Sequence, residues 1–174
     1  LNFAREVQDA FQTYDSNPRD LYPDLIKWNF PPAGKIKLNT DGSSKGNPGK
    51  GGFGGLFRDS DGRWRGGYHG SIQHCTCLHA ELEGIRQGLR MAITKGWKDF
   101  LVETDSMIAC NLIKKCNQEH PLGMIIQDCI FLLNRCQSIM SHTKREGNKC
   151  ADILANRGAD QNEAFVLLEE PISD

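Results

Sequence analysis

The chain has 174 residues, of which 39% are hydrophobic and 25% are charged, and its formal net charge is −1. This length and balance predict one soluble globular domain with a sizeable core, plus a tail. The apolar runs are too short to cross a bilayer, which excludes a membrane-spanning role. A net charge so close to zero is unusual for a strong nucleic-acid binder, because neutralisation of phosphates usually dominates such affinity.

The cysteine pattern and the start of the chain indicate the cellular setting. The seven cysteines are an odd number scattered through segments of helical periodicity, which predicts buried thiols in a reducing compartment. We therefore expect an intracellular protein, in the nucleus, the cytoplasm or an organelle. The opening segment has no secretory signal, so secretion is not expected. Because the first residue is Leu1, we also expect the chain to be part of a longer polypeptide.

The N-terminal region differs in composition from the rest of the chain. Residues 1–34 contain several prolines and no sustained apolar period, which predicts a linker or N-terminal extension. Within it, Trp28 and Phe30 are expected to pack on the edge of the domain. The domain itself is predicted over residues 35–160, and residues 161–174 are a predicted C-terminal tail.

Three antiparallel strands are predicted at the start of the domain. Residues 36–40 alternate in polarity, which is the period of a half-buried strand, and Asp41 is placed at the end of that strand. Two glycine-rich runs, Gly51–Asp59 and Gly62–Ile72, then flank the turn at residues 60–62, and this arrangement predicts a hairpin.

A helix and a buried strand follow the hairpin. The segment Thr76–Lys95 carries one apolar stripe at helical spacing, and Gly96 is placed as its C-terminal cap. The segment Asp99–Thr104 then has the composition of a buried strand. A helix-sized connection between strands predicts that this strand pairs in parallel with the first strand.

The remaining elements complete an α/β fold. Two helices are predicted at Ser106–Lys115 and Met124–Cys136, followed by a strand at Ser138–Thr143. Asn148 is placed as the cap of a closing helix that runs to Gly158. The order βββαβααβα predicts a mixed five-stranded sheet, with three antiparallel strands and two parallel additions, flanked by helices.

Four carboxylates lie where these elements can bring them together. Asp41 and Asp105 end strands that we expect to be neighbours, and ligand sites collect at the carboxyl ends of strands. Glu81 lies about 60° from the apolar stripe of its helix and can reach inward, whereas Glu83 points away and is expected to be solvated. Asp152 lies in the first turn of the last helix.

Gathering carboxylates costs stability unless a cation neutralises them, so the set predicts a divalent-metal site. Oxygen donors without His or Cys suit Mg²⁺ or Mn²⁺. Taken singly, each residue also has a simpler interpretation. Asp41 before Gly42 is typical of a turn, Asp105 can cap the following helix, and Asp152 is favoured by a helix dipole.

The motifs around these carboxylates resemble one known family. The segments NTDGSSKGNPG from Asn39, Ala80-Glu81-Leu82, Glu103-Thr104-Asp105-Ser106 and NKCADIL from Asn148 resemble the type 1 ribonuclease H family. The likeness is strongest to the plant reverse-transcriptase-like domains of retroelement origin.

The resemblance implies a ribonuclease H-like fold and an endoribonuclease that hydrolyses the RNA strand of RNA–DNA hybrids. Such an enzyme leaves 5′-phosphate and 3′-hydroxyl ends and uses two Mg²⁺ or Mn²⁺ ions. The resemblance assigns the metal and the catalysis to Asp41, Glu81, Asp105 and Asp152. A nucleic-acid partner is implied for what we expect to be a monomeric domain.

The resemblance also implies a set of substrate contacts. In the family, the loop that begins at Gly42 contacts the minor groove, where 2′-hydroxyls distinguish RNA from DNA. Thr76 matches a threonine that helps to bind a DNA phosphate, but His74 stands where bacterial relatives have arginine, and a neutral imidazole holds phosphate less firmly. The predicted substrate-binding set is Gly42, Ser43, Ser44, Asn47, His74, Thr76, Ser106 and Asn148.

The loop before the last helix departs from the bacterial pattern. Bacterial relatives carry a histidine there, whereas the segment Thr143–Asn148 contains none. Arg145 is assigned a related electrostatic role, with a solvated charge as the alternative.

Two functional alternatives remain open. One is a non-catalytic nucleic-acid-binding module derived from a retroelement, which the near-zero net charge and the substituted contact residues favour. The other is a different nuclease of the same superfamily, which acts on duplex RNA or as an exonuclease.

Overall fold

The structure is a computed structural model that describes residues 27–116 and 119–172. Over these residues the predicted order of strands and helices is confirmed, and a sixth strand follows the last helix. Most of the predicted N-terminal extension lies outside the described residues. The elements are β1 (Ile36–Gly46), β2 (Gly49–Asp59), β3 (Trp64–Cys75), α1 (Cys77–Lys95), β4 (Leu101–Thr104), α2 (Met107–Lys115), α3 (Gly123–Cys136), β5 (Ile139–His142), α4 (Lys149–Asp160) and β6 (Val166–Leu168).

The strands form one mixed sheet in the order β5–β4–β1–β2–β3–β6. Strands β1, β2 and β3 are antiparallel neighbours, whereas β4 pairs in parallel with β1, and β5 with β4, as predicted. Asp41 does not end its strand, so that detail of the prediction was wrong. The pairing of β1 with β4 stops at Thr40, but its pairing with β2 continues to Gly46, and β1 therefore extends beyond Asp41 on one edge.

The sixth strand lies in the segment predicted as a tail. Strand β6 pairs antiparallel with β3 through residues 67–69 and 166–168. The prediction of five strands was therefore short by one, because a strand of three residues is too short to show a period of two. In the described ranges, no helix combines the length and the apolar character that crossing a membrane requires.

Two apolar clusters hold the layers together. The larger lies between the sheet and the helices α1 and α3, and it includes the fully buried Leu38, Phe57 and Tyr68. The smaller lies under α4 on the opposite face of the sheet, around Leu56 and Leu154. All seven cysteines are free thiols and five of them are buried, as the sequence predicted.

The solvated position predicted for Glu83 was wrong. The residue is 7% exposed, and its carboxylate accepts hydrogen bonds from Arg86 and Gln87 on the same helix. Arg86 also bonds to Asp128 of α3. Helix α3 packs along this side of α1, so Glu83 is enclosed between two helices although it lies outside the apolar stripe. Arg86 neutralises its charge there.

Helix α1 lies directly against strand β1, and two glycines allow this close approach. A Cβ atom on Gly42 would lie 2.2 Å from the backbone nitrogen of Glu81, and one on Gly84 would lie 2.7 Å from the carbonyl oxygen of Asp41. No side chain fits between the strand and the helix at these points. The contact therefore places the backbone nitrogen of Glu81 beside the strand at Asp41 and Gly42.

We expect Gly42→Ala to destabilise the domain more than Gly96→Ala. At Gly42 the added methyl group would force strand and helix apart, which costs about 3 kcal/mol. Gly96 has a φ of 72° but nothing within 4 Å of its added Cβ, so only the left-handed conformation is penalised, by about 1 kcal/mol. Urea unfolding of both variants measures the difference, and equal losses would contradict the close contact.

Candidate active site

Three of the four predicted carboxylates converge at one end of the sheet. Asp41, Glu81 and Asp105 each place a carboxylate oxygen within 4.8 Å of the others. Parallel pairing of β1 and β4 ends at the pair Thr40 and Thr104, one residue before each aspartate, so the two aspartates emerge side by side. Glu81 joins them from α1, which the glycine contact holds against β1.

Asp152 reaches the same region from the opposite face of the sheet. It lies in the first turn of α4, which packs on β2 at Gly54, the residue paired with Asp41. It is not one of the three mutually close carboxylates, and its side chain is 33% exposed. Arg145 places a guanidinium nitrogen 3.8 Å from an Asp152 oxygen, and 79% of its own side chain is exposed. These two residues therefore form the exposed rim of the cluster.

The cluster is strained electrostatically. Burial raises the pKa of Asp41 far above its usual range, and the charges of Glu81 and Asp105 raise that pKa further. The Asp152 charge acts in the same direction. Burial, followed by the Asp105 charge, also raises the pKa of Glu81, although hydrogen bonds with Asp41 and the backbone of Gly42 oppose the rise.

The donor atoms of the cluster fit a metal ion. The Oε2 atom of Glu81 is buried without a hydrogen-bond partner, and a cation would supply the missing partner. The donor set consists of carboxylate oxygens only, which hard divalent cations prefer. The cluster is therefore consistent with a metal site, with Asp41, Glu81 and Asp105 as the central donors.

The predicted loop from Gly42 to Gly49 is the end of a hairpin. Gly42 lies inside β1, and its missing side chain serves the contact with α1. The Ser43 hydroxyl donates to Oδ1 of Asn156 at 2.7 Å, and the Ser44 hydroxyl donates to the Cys75 carbonyl at 3.1 Å. These two hydroxyls therefore tie the hairpin to α4 and to the end of β3.

The other predicted contact residues surround the start of α1. The Oδ1 atom of Asn47 accepts from the backbone N–H of Cys77 at 3.0 Å, and the Thr76 hydroxyl caps the helix by accepting from the N–H of His79 at 3.2 Å. His74 is exposed at the end of β3. These residues lie on the surface beside the hairpin, where an elongated ligand could pass.

Ser106 and Asn148 occupy different environments. The Ser106 hydroxyl caps α2 by accepting from the N–H of Ala109 at 3.2 Å, one residue after Asp105. Asn148 is the N-cap residue of α4, as predicted, but its side chain makes no capping hydrogen bond there. It is 1% exposed and donates to the carbonyl of Thr40 at 2.9 Å, so it ties the helix to β1 rather than facing solvent.

Two residues that sequence reasoning did not select lie near the cluster. Asn39 is fully buried two residues before Asp41, and its side chain bonds to Asn148 and Glu103. His142 ends β5, and its Nε2 atom lies 3.2 Å from the carbonyl oxygen of Asp105. His142 could have been selected because it is the last residue of β5. That strand pairs with β4, and Asp105 directly follows β4.

A mixed sheet whose parallel neighbours β1 and β4 bring Asp41 and Asp105 together, with Glu81 added from α1, defines a ribonuclease H-like domain. The comparisons agree with that class. The profile of the reverse transcriptase-like family matches residues 39–158. The chain therefore belongs to the ribonuclease H family, as a reverse transcriptase-like member.

Individual relatives support the same assignment. An Arabidopsis thaliana protein described as a candidate ribonuclease H is 37% identical over 134 residues, which are 76% of this chain and only 22% of that protein. A ribonuclease H of Bordetella avium is 30% identical over 142 residues, which cover 74% of this chain and 92% of the relative. The chain thus spans about a fifth of the plant relative but nearly all of the bacterial enzyme.

Solved structures show the same fold. LC11-RNase H1, isolated from compost by a metagenomic approach, has been crystallised in complex with an RNA/DNA hybrid. It superposes with a TM-score of 0.66 at 25% identity, over 72% of this chain and 97% of that structure.

The raised carboxyl pKa values predict how the stability of the metal-free domain depends on pH. The folded state keeps protons at pH values where the unfolded chain has lost them. The contribution of these carboxyls to stability should therefore be greatest below the ordinary aspartate pKa of 3.8 and should fall as pH rises toward the raised values. Asp41→Asn removes the carboxyl whose ionisation is made unfavourable by burial and by the neighbouring acids, so it should raise the melting temperature in EDTA at pH 8 by about 2–4 °C for each kcal/mol gained.

Thermal unfolding between pH 4 and pH 8 measures this effect. The gain from Asp41→Asn should shrink toward pH 4, and added Mg²⁺ should stabilise the wild type more than the variant. The matched control is Asp61→Asn on an exposed turn, which should change neither result. A variant less stable than the wild type at pH 8 in EDTA would contradict the strained cluster.

Proposed function

We propose that this domain is a metal-dependent endoribonuclease that hydrolyses the RNA strand of RNA–DNA hybrids, leaving 5′-phosphate and 3′-hydroxyl ends. The observation that carries the proposal is the convergence of Asp41, Glu81 and Asp105 within 4.8 Å around a buried, unpartnered Glu81 oxygen. Membership of the ribonuclease H family and the hybrid complex of a structural relative support this choice of substrate.

We propose that the site binds two divalent ions, which are Mg²⁺ or Mn²⁺. When bound, such ions lower the pKa of the attacking water and stabilise the leaving oxygen. Asp41, Glu81 and Asp105 would hold the metal, and Asp152 would complete the set from the rim. The burial of Asp41 keeps bulk water from its carboxylate, which strengthens its attraction for a cation.

The proposed substrate path runs along the rim of the cluster. The Thr76 hydroxyl accepts a bond as a helix cap, and its own proton remains able to be donated to a phosphate oxygen. Asn47 is held beside it through its bond from Cys77, and the hairpin end with Ser43 and Ser44 lies next to both. We assign contacts with the nucleic-acid backbone to these side chains, together with His74 and Ser106. The buried Asn148 is reassigned from substrate contact to support of α4.

Binding without turnover is the second candidate function. A formal net charge of −1 provides little general attraction for phosphates, and the imidazole of exposed His74 cannot form the two parallel bonds that a guanidinium makes to a phosphate. A module that binds a nucleic acid weakly and cleaves nothing is consistent with those observations, whereas a buried cluster of carboxylates is not what such a module needs.

The cleavage assay separates these functions. We expect the wild type with Mg²⁺ or Mn²⁺ to cut a matched RNA–DNA hybrid in preference to duplex RNA or single strands. Asp41→Asn should lower the rate by more than about 100-fold, because it removes a metal-binding charge and keeps the shape. The control Asp61→Asn should retain full activity. Hybrid binding without cleavage would favour the second candidate, and equal cleavage of duplex RNA would indicate another nuclease.

The role of Arg145 can be tested by charge. Its exposed guanidinium lies 3.8 Å from Asp152, so a positive charge at the rim rather than a fixed geometry should matter. We expect Arg145→Ala to lower kcat about threefold to tenfold, the range of an exposed charge acting over a few ångströms, and Arg145→Lys to restore most of the loss. The neighbouring exposed cation provides the control, Lys144→Ala. An unchanged kcat in Arg145→Ala would identify a solvated charge.

A further inference from the structure

Trp28 is buried although it precedes the first strand. It is 6% exposed, and its indole N–H donates to Oδ1 of Asn39 at 2.7 Å. The guanidinium of Arg58 lies 3.8 Å from the centre of the indole ring, and the ring of Phe30 meets it edge-on at 5.0 Å. The residues before β1 are therefore packed on the sheet and are not a free linker at this point.

Asn39 connects this tryptophan to the start of α4. Its carbonyl oxygen accepts from Trp28 and, at 3.2 Å, from Arg58. Its amide nitrogen donates to Glu103 at 3.1 Å and to Asn148 at 3.3 Å. A side-chain amide has two acceptor sites and two donor hydrogens, so every one of them is used and the orientation of Asn39 is fixed.

Asn148 transmits this fixed orientation to the active site. Its side chain accepts from Asn39 and donates to the carbonyl of Thr40, the residue before Asp41. Its backbone carbonyl accepts the helical bond from the N–H of Asp152 at 3.1 Å. The path from Trp28 to Asp152 thus consists of three side chains and one backbone bond, without a gap.

A second contact acts on the turn that carries Arg145. The residues Arg145–Gly147 form one turn of 3₁₀ helix immediately before Asn148. A Cβ atom on Gly147 would lie 3.6 Å from the carbonyl oxygen of Lys27 and 3.8 Å from Cα of Trp28. The turn therefore rests on the backbone of the same N-terminal segment.

An ion pair between Lys37 and Glu103 adjoins the network, because Glu103 also accepts from Asn39. Lys37 is 3% exposed, and its ammonium group bonds to Glu103 at 2.6 Å and to the carbonyl of Asn29 at 2.7 Å. Both ions depend on the cover that the segment of Trp28 provides, because a half-satisfied buried network is unstable.

From these contacts we propose that Trp28 is a positioning residue, which holds Asp152 and Arg145 at the rim of the carboxylate cluster through Asn39 and Asn148. The inference rests on the proposed metal-dependent function. Asp41, Glu81 and Asp105 are placed by the sheet and α1, whereas Asp152 depends on where α4 begins. The residues before β1 therefore belong to the active-site architecture, and disturbing them weakens metal binding without removing any ligand.

Variants at two tryptophans test the proposal. Trp28→Phe keeps a ring over Arg58 but removes the N–H that bonds to Asn39, and Trp28→Ala removes both. Trp64 supplies the matched control, because its indole N–H also donates a hydrogen bond, to the carbonyl of Glu169 at 3.2 Å, and not to Asn39. Trp64→Phe keeps a ring against the apolar cluster under α4 and removes an equivalent bond whose acceptor is not part of the Asn39 network. If Trp28→Ala fails to fold, Trp28→Phe alone decides the test.

Two measurements on the complete chain serve as readouts. We expect Trp28→Phe to accelerate amide hydrogen exchange in residues 144–152 of the metal-free protein. We also expect it to raise the Mn²⁺ concentration needed for half-maximal thermal stabilisation by about tenfold, the usual effect of losing a partner that orients a metal ligand. Trp64→Phe should leave both quantities unchanged.

Two outcomes would overturn the inference. The first is a Trp28→Phe variant that matches Trp64→Phe in both measurements. The second is faster exchange with an unchanged Mn²⁺ requirement, which would reduce Trp28 to a stabilising contact. If the wild type binds Mn²⁺ but cleaves no hybrid, the proposed function fails while exchange and Mn²⁺ binding still decide the role of Trp28.

Discussion

The structure depends on holding like charges together against their repulsion. Asp41, Glu81 and Asp105 each place a carboxylate oxygen within 4.8 Å of the others at one end of the sheet. The rigid parts of the fold balance this repulsion. Parallel pairing fixes the two aspartates, and the glycine contact at Gly42 and Gly84 prevents α1 from moving away with Glu81. Fold stability is thus used to prepare a binding site for cations, and a bound cation would return part of that free energy.

The two faces of the sheet are built from different interactions. The face toward α1 and α3 is apolar and tightly packed, and it sets the position of the strands. The face toward α4 has a small apolar cluster and, beside it, a hydrogen-bonded network centred on Asn39. Hydrogen bonds are directional, so they restrict the orientation of a side chain more than apolar contacts do, provided that every buried donor and acceptor has a partner. The fourth carboxylate, Asp152, approaches from this second face.

The sequence was sufficient to predict most of the fold and the central cluster. Helix α1 was recognisable from its apolar stripe and its cap at Gly96, and Asp41 and Asp105 from their places near the ends of neighbouring strands. Glu81 followed from helical geometry, but the same geometry misplaced Glu83, since it contained no information about a second helix packing from the side. Strand β6 was missed because it exists through its pairing with β3 rather than through any pattern of its own.

The polar network explains why the alternation of polar and apolar residues fails to predict burial in the strand that supports the fourth carboxylate. Residues 36–40 alternate as a half-exposed strand does, yet Lys37 and Asn39 are as buried as their apolar neighbours. Alternation reports which residues share a face, not whether water reaches that face. Here the face is closed by Trp28, whose partner Asn39 lies 11 residues away, and by Asn148, whose partner lies 109 residues away. A polar residue on a strand that leads to an active site can therefore be part of its support, and only the assembled fold distinguishes that role from simple exposure.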